Sequence, residues 1–368
     1  MEAVEELAKP YLEKLIANLE ERGVLRSPEW RTAFRRTYRH RFVPRVFQYT
    51  GTEWELLDGS RPEQFHEWLD IVYRVEVLVT QVSDGSPAVP TSSSTLPSLM
   101  AEMLEALDVA DNHCVLEIGT GTGYNAALLS ERLGGVQLTT IDIDGALVAA
   151  ARDRLAAHGH NPVLAVANGA DGYPPRVPFD RIICSCGTRY IPQPWVRQVR
   201  PGGVIVANVR GTFDGSVVRL EVLESGSAHG RFLSGQWWFL PIREGGPLSL
   251  DFLSSPQVGG PDEGTRRQLA VPVEAFGSAF WFLVVLHLLH AFAGQMGHHD
   301  YPGGFYLVDA RDGSWAQVDP PKARGGGYTV REGGPRRLRG IVEKAYEFWR
   351  MQGTARPTQP CITSSSSG

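Results

Sequence analysis

Cysteine is scarce in this chain and shows no pairing pattern. The 368 residues contain four, Cys114, Cys184, Cys186 and Cys361, with no C-x-x-C among them, so neither a disulfide framework nor a thiolate zinc site is indicated. Cys114 and Cys184 fall in strand-like stretches, and reduced, mostly buried thiols in a cytoplasmic protein are the expectation. An excess of charge is lacking too. The 36 basic and 41 acidic residues leave a formal charge of −5, and nothing global points to nucleic acid or an anionic membrane as partner. Long apolar runs are missing: the longest, residues 279–293, is broken by His287 and His290 and falls short of the roughly 20 residues that a bilayer span requires. Residues 1–21 read as a charged amphipathic helix and not as a signal peptide.

What the chain does have is glycine at one telling place. Val115-Leu116-Glu117-Ile118 reads as an apolar strand, and Gly119-Thr120-Gly121-Thr122-Gly123-Tyr124 packs glycines into the turn that follows. A helical pattern comes next, and Thr140-Ile141-Asp142-Ile143-Asp144 ends a second strand on an acid. This is the first half of a nucleotide-binding βαβ unit, in which turn glycines let a ligand approach the backbone. The spacing departs from the G-x-G-x-x-G dinucleotide fingerprint, and Glu117 stands two residues ahead of the first glycine. A carboxylate there repels a pyrophosphate but suits a cofactor that carries a sulfonium and an ammonium, S-adenosylmethionine (SAM). Asp142 is placed to accept hydrogen bonds from ribose hydroxyls. The expected cofactor residues are thus Glu117, Gly119, Thr120, Gly121, Gly123, Asp142 and Ile143.

Four segments are expected along the chain. Residues 1–85 form an N-terminal helical and substrate-covering segment. It has a helix over 2–22, a second opening at Ser27-Pro28, and an irregular stretch with strand character over 73–82. The second helix begins a run of Arg31, Arg35, Arg36, Arg39, Arg41 and Arg45; this reads as a solvated face, with docking of an acidic peptide as the sharper alternative. Residues 86–230 form an α/β core with strands over 113–118, 137–143, 162–166, 179–186 and 203–209. Residues 231–360 form a smaller α+β accessory domain. It is read as a strand over 237–242, a Gly/Pro/Ser-rich stretch over 245–265, a buried helix over 276–292, a hairpin turned at Asp312-Gly313 and a helix over 341–351. Residues 361–368 read as a disordered, serine-rich tail. Five tryptophans (Trp237, Trp238, Trp281, Trp315, Trp349) fall in the accessory domain; packing is their default, and an exposed one would serve a peptide-binding surface. His287 and His290, with His298-His299-Asp300, offer imidazoles for zinc, but an apolar helix and a Gly-flanked loop are poor settings, and no metal is expected.

The segment ahead of the glycine turn, Pro90-Thr91-Ser92-Ser93-Ser94-Thr95-Leu96-Pro97, is a hydroxyl-rich loop leading into a helix. A Ser-rich cap is the plain reading, and a hold on a carboxylate or peptide backbone is the functional one. This loop, His40-Arg41-Phe42-Val43-Pro44, the glycine turn, Pro178-Phe179-Asp180-Arg181-Ile182-Ile183 and Val199-Arg200-Pro201-Gly202-Gly203 occur in the order seen in protein-L-isoaspartate O-methyltransferases, which the chain resembles over residues 28–210. The resemblance implies an α/β class I SAM-dependent methyltransferase (Rossmann-like) core, here with N-terminal helices and a smaller C-terminal α+β domain. It places the catalytic hydroxyl on Thr95, where a serine is usual, with Ser94 and Ser93 as substitutes. It places the adenine-binding acid on Asn168, followed by Gly169; Asn keeps an acceptor oxygen.

The resemblance also implies a function. A carboxylate with a pKa near ~4 is ionised at neutral pH, so methyl transfer to it needs no general base and rests on alignment. The added C-terminal domain and the long 48–90 segment resemble a branch associated with ATP-grasp peptide maturases and lanthipeptide systems. There the substrate is a ribosomally made, cyclised precursor peptide whose methylated aspartate closes to a succinimide (aspartimide). Repair of isoaspartyl residues in many proteins is the alternative. A non-catalytic partner that holds a peptide for a cyclase is the reading from another class.

Overall fold

In the computed structural model, residues 2–211, 215–243, 264–272, 275, 278–296, 304–309, 311–319, 327–351 and 362–363 are described. Helix α1 (Glu2–Glu21) buries Ala8, Leu12, Leu15, Ile16 and Leu19, one stripe at three- and four-residue spacing. Helix α2 (Pro28–Arg36) opens at Ser27, whose hydroxyl bonds Glu105 (2.9 Å) instead of capping the helix. Most of the arginine run meets acids of the chain. Arg31 and Arg35 reach Glu20, Arg36 reaches Glu131, Arg41 pairs with Glu5 and Arg45 with Asp58. Arg39 is fully buried. The three arginines of this helix thus have acids within 4.0 Å, while their side chains stay 37–68% exposed.

The stretch expected to be irregular carries a sheet. Strands β1 (Arg45–Tyr49) and β2 (Trp54–Asp58) form a hairpin, helix α3 (Phe65–Val72) follows, and β3 (Leu78–Val82) and β4 (Pro90–Ser94) complete the antiparallel order β2-β1-β3-β4. In β1 only Val46 is buried, which leaves no alternation to read. The hydroxyl segment is thus a strand and not a loop. Its hydroxyls are satisfied across the ladder: Thr91 donates to Gln81 (2.7 Å), and Ser92 accepts from Thr80 (3.2 Å). Helix α4 (Pro97–Leu107) leaves this strand with Pro97 in its first turn.

The core then alternates: β5 (Val115–Ile118), α5 (Tyr124–Leu133), β6 (Leu138–Asp142), α6 (Gly145–Ala157), β7 (Val163–Val166), β8 (Phe179–Thr188), α7 (Gln193–Gln198) and β9 (Val199–Arg210). Two unanticipated strands, β10 (Gly215–Val222) and β11 (Ala228–Phe232), extend the sheet as antiparallel neighbours. The order is β11-β10-β9-β8-β5-β6-β7, parallel from β9 to β7. All four residues of β5 are buried, as a parallel strand covered on both faces requires. The chain leaves β5 toward β6 on one side and comes back at β8 on the other, and such a switch point is where doubly wound sheets take ligands. A bulge between Cys184 and Gly187 re-aims β8 beside that point.

Beyond 264 a separate antiparallel sheet forms from β12 (Thr265–Gln268), β13 (Ala291–Met296), β14 (Gly304–Asp309), β15 (Ser314–Asp319) and β16 (Thr329–Gly333), in the order β12-β16-β15-β14-β13. The helix expected over 276–292 is shorter: α8 (Ser278–His287) ends where Ala291 turns back to Leu288, and the remaining apolar residues pair as β13 with β14. α8 is apolar all round because it is buried on both sides. Phe280 and Val284 enter the core of the C-terminal sheet, while Phe282 meets Phe232 of the large sheet edge to face (4.6 Å). Helix α9 (Leu338–Met351) covers the C-terminal sheet with Leu338, Val342 and Ala345. From the predicted tail, β17 (Ile362–Thr363) pairs with β11; the rest of 361–368, most of 245–265 and His298, His299 and Asp300 lie outside the described residues. Among the described residues, no helix is long and apolar enough to cross a membrane.

Candidate active site

The glycine turn does what its spacing anticipates. Gly119 and Thr120 donate to the Ile141 carbonyl (2.9 and 3.1 Å), which ties the end of β5 to β6. Gly119 (φ 98°) and Gly121 (φ 50°) both sit in left-handed backbone. Asp142 accepts from the Gly121 N–H (3.0 Å) and the Asp144 N–H (3.1 Å), which fixes its carboxylate over the turn. Gly119, Gly121, Ile141, Asp142, Ile143 and Gly169 line one cleft of about 600 Å³ of empty space, its open mouth included. Thr120 lies beneath, its hydroxyl bonded to that of Thr140 (2.7 Å). Gly123 packs against Ala151 of α6. Asn168 does not line the cleft: its oxygen accepts from the Ala170 N–H (3.1 Å) and its amide donates to Asp171 (3.0 Å).

Glu117 is buried completely and lies outside the cleft lining. Its two oxygens accept from Asn125 (2.7 Å) and Thr140 (2.6 Å), and burial pushes its pKa up from 4.5 to about 7 in spite of those bonds. Because the folded pKa is raised, the protonated form contributes stability that is full below pH 4.5 and lost as pH rises through about 7. Glu117→Gln carries no such loss. Relative to the parent, the variant is expected to gain about 2–3 kcal/mol between pH 5 and pH 8. Urea unfolding at the two pH values measures this, and an unchanged difference between the chains would contradict it.

The hydroxyls predicted for catalysis separate. Thr91, Ser92 and Ser93 line the cleft opposite the glycine turn, whereas Ser94 and Thr95 do not. Ser94 turns inward, and its hydroxyl accepts from the Arg39 guanidinium (3.1 Å). Arg39 also donates to the carbonyls of Val72, Arg74, Glu76, Ser94 and Thr95 at 3.0–3.4 Å. No carboxylate accompanies it among the described residues, and burial lowers its pKa to about 10. One buried cation thus holds the hydroxyl strand against the end of α3.

Several site residues gave no sequence signal. The β8 bulge brings Ser185 and Cys186 into the lining. Residues 237–242, expected as a strand, run with Arg243 instead as a strap across the end of β8, with Gly187 bonded to Leu240 and Ile242 (2.8 Å each). The strap adds Leu240, Pro241, Ile242 and Arg243 to the cleft, and Arg243 approaches Asp144 (3.8 Å) and Asp142 (4.0 Å). Gln81 donates to Asp144 (3.2 Å), so β3 touches the same corner. The residues fit SAM on two grounds. Asp142 offers a carboxylate to hydroxyl donors, and a Cβ on Gly121 would meet nothing nearer than 3.7 Å, leaving bare backbone for a ligand to approach. Among the described residues there is no cluster of His, Cys, Asp and Glu that could hold a metal.

Residues 63–235 match the family model for protein-L-isoaspartate(D-aspartate) O-methyltransferase. The core is protein-L-isoaspartate O-methyltransferase-like. Relatives of that name include one from Methanosarcina mazei, 35% identical over 148 residues, which are 40% of this chain and 60% of the relative. One from Azorhizobium caulinodans is 45% identical over 114 residues, 31% of this chain and 52% of the relative. The chain therefore spans about half to three fifths of the length of these relatives. A solved protein-L-isoaspartate O-methyltransferase aligns with a TM-score of 0.55 at 21% identity, over 97% of this chain and all of that one. The fold is that of the class I SAM-dependent methyltransferases, as expected. The methyltransferase-like core includes both sides of the cleft, the hydroxyl strand and the glycine turn.

Proposed function

We propose that the chain is a SAM-dependent carboxyl O-methyltransferase acting on an aspartyl-type carboxylate of a protein or peptide. The observation that carries this reading is the facing of Thr91, Ser92 and Ser93 against Gly119, Gly121 and Asp142 across one cleft. When bound, SAM supplies an electrophilic methyl group on a sulfonium. Asp142 accepts ribose hydroxyls, and Gly119 and Gly121 present bare backbone to the cofactor. Ser93 takes the orienting role assigned by resemblance to Thr95, because it is the one of the three candidate residues that lines the cleft. It donates to the acceptor carboxylate and removes no proton, since that carboxylate is already ionised. Ser94 and Thr95 act on the strand's position through Arg39. Alignment of this kind supplies up to roughly 7–11 kcal/mol of a barrier.

The acceptor separates two forms of the proposal. Isoaspartyl repair agrees with the names of the relatives. Maturation of a ribosomally made, cyclised peptide is the other form. The C-terminal sheet has its own core and lies beyond the residues matched by the family model, but the solved protein-L-isoaspartate O-methyltransferase aligns over 97% of the chain, so the sheet alone does not separate the two forms. In the maturation form the aspartyl methyl ester is attacked by the neighbouring amide nitrogen. The new C–N bond closes a succinimide, the ester C–O bond breaks, and the amide proton leaves with the methoxy group as methanol.

SAM-dependent methylation of a short L-isoaspartyl peptide, beside its aspartyl twin, is the test. Turnover of the isoaspartyl form alone is expected for repair. Turnover of neither, with S-adenosylhomocysteine bound, is expected for a dedicated precursor. Failure to bind S-adenosylhomocysteine sinks both forms.

A further inference from the structure

Two arginines stand at the carboxyl ends of adjacent parallel strands with no acid to meet them among the described residues. Arg210 is the last residue of β9, and Arg189 follows directly on β8. Neither has a carboxylate partner among the described residues, in contrast to the paired arginines of 31–45. The Arg210 side chain crosses β8 at Gly187, where a Cβ would lie 2.3 Å from its Cδ, so glycine is what lets it through. It then donates to the Phe239 carbonyl (2.8 Å) and lies over the Trp238 ring, 4.4 Å from the centre. Arg189 donates to a ring nitrogen of His290 (2.7 Å), which leaves that imidazole neutral. Burial first, and then the charges of Arg189, Arg311 and Arg336, hold His290 below its ordinary pKa; the acid in that group, Asp309, is fully buried and takes Arg311 and Arg336 itself.

Beside this cationic pair, Trp238 is 60% and Tyr190 57% exposed, large aromatic surfaces that face solvent even though Arg210 lies over the Trp238 ring. The patch borders the cleft. Cys186 lines the cleft and Arg189 follows three residues later, about 10 Å along an extended chain. On the other side, Leu240 of the strap lines the cleft two residues after Trp238. In a chain of net charge −5, an unmatched positive and aromatic patch at the switch-point edge of the sheet is set for an anionic ligand.

We propose that Arg189, Arg210, Trp238 and Tyr190 form the docking surface for an acidic stretch of the peptide substrate, about three residues from the carboxylate that is methylated. This rests on the carboxyl methyltransferase reading and adds a charge preference to it. Arginine meets a side-chain carboxylate, and the exposed rings cover the adjoining peptide backbone. The surface selects peptides by their flanks and leaves the methyl-transfer geometry to the cleft.

The test uses the full chain loaded with S-adenosylhomocysteine and two fluorescent peptides that carry the same acceptor. One has glutamates about three residues from it, and the other has lysines there. Anisotropy is expected to show at least about tenfold tighter binding of the glutamate peptide, with the advantage falling as salt is raised. Arg189→Ala should remove most of this preference, and Arg189→Glu should invert it. Neither change should move the affinity for S-adenosylhomocysteine. Trp238→Ala should weaken both peptides alike. Arg210 is left intact because it braces the strap. Equal binding of the two peptides by the parent chain, no binding of either, or a preference that survives Arg189→Glu each overturns the docking surface while leaving the cofactor site standing. Loss of S-adenosylhomocysteine binding in the parent overturns the methyltransferase reading instead.

Discussion

Gly119→Ala binds S-adenosylhomocysteine at least about a hundredfold more weakly than the parent chain and has no measurable turnover: this is the largest effect expected of a single methyl group here. A Cβ at that position would lie 2.7 Å from the Ser185 hydroxyl and 2.8 Å from the Cys186 sulfur, inside any permitted contact. Both neighbours belong to the β8 bulge, which is pinned at its two ends where Cys184 and Gly187 pair with β9. The added carbon therefore displaces Ser185 from the Gly119 carbonyl it bonds (3.0 Å) and narrows the cleft from its floor. The left-handed backbone (φ 98°) adds strain of about 1–2 kcal/mol for any residue with a side chain. Gly159→Ala isolates that strain, because Gly159 shares the left-handed conformation (φ 78°) with no atom near its Cβ direction. Calorimetric titration of both variants should show normal binding for Gly159→Ala. Equal weakening of the two would mean that backbone strain, and not crowding of the cleft, governs the site.

Arg39→Met should destabilise the fold by about 3–5 kcal/mol, the largest stability change expected outside the apolar cores. The side chain is fully buried, and its guanidinium satisfies five carbonyls and the Ser94 hydroxyl. Methionine fills much of the volume but donates nothing, and each buried acceptor left without a donor costs about 1–3 kcal/mol before water or local movement relieves it. Lysine keeps the charge with fewer donors in a different geometry, so Arg39→Lys should recover only part of the stability. The free carbonyls belong to two segments, 72–76 and 94–95, so the lost order should also be felt at Ser93. Turnover is expected to fall further than cofactor binding. Urea unfolding gives the first number, and kcat against the dissociation constant for S-adenosylhomocysteine gives the split. A stability loss below about 1 kcal/mol would show that solvent replaces the guanidinium.

The parts of the molecule legible in the sequence are those governed by local pattern. The glycine turn, the acid that ends β6 and the fully buried β5 carry their conformation in their own residues, and their placement follows. Of the four-stranded sheet only β3 was legible, within the strand character over 73–82, because strands such as β1 bury a single side chain and leave no period to detect. The hydroxyl segment reads as a loop from its serines and becomes a strand only because β3, a dozen residues earlier, offers a ladder. The strap is harder still. Residues 237–243 are as apolar as a strand, but their partner is the end of β8, some fifty residues away, and they meet it by one isolated bridge. Arg39 shows the same limit in a side chain. In sequence it is one of six arginines, and only the fold tells it from the five that reach carboxylates.

Helix α8 belongs to two cores at once. Phe280 and Val284 point into the C-terminal sheet, Phe282 lies on Phe232, and Val285 occupies the space that a side chain on Gly211 would need. A module joined in this way is not cargo on a tether. Its removal would strip the apolar cover from Phe232 on the outer strands of the large sheet. Two sheets that share a helix are expected to unfold in one transition, with the cleft and the C-terminal sheet lost together on heating.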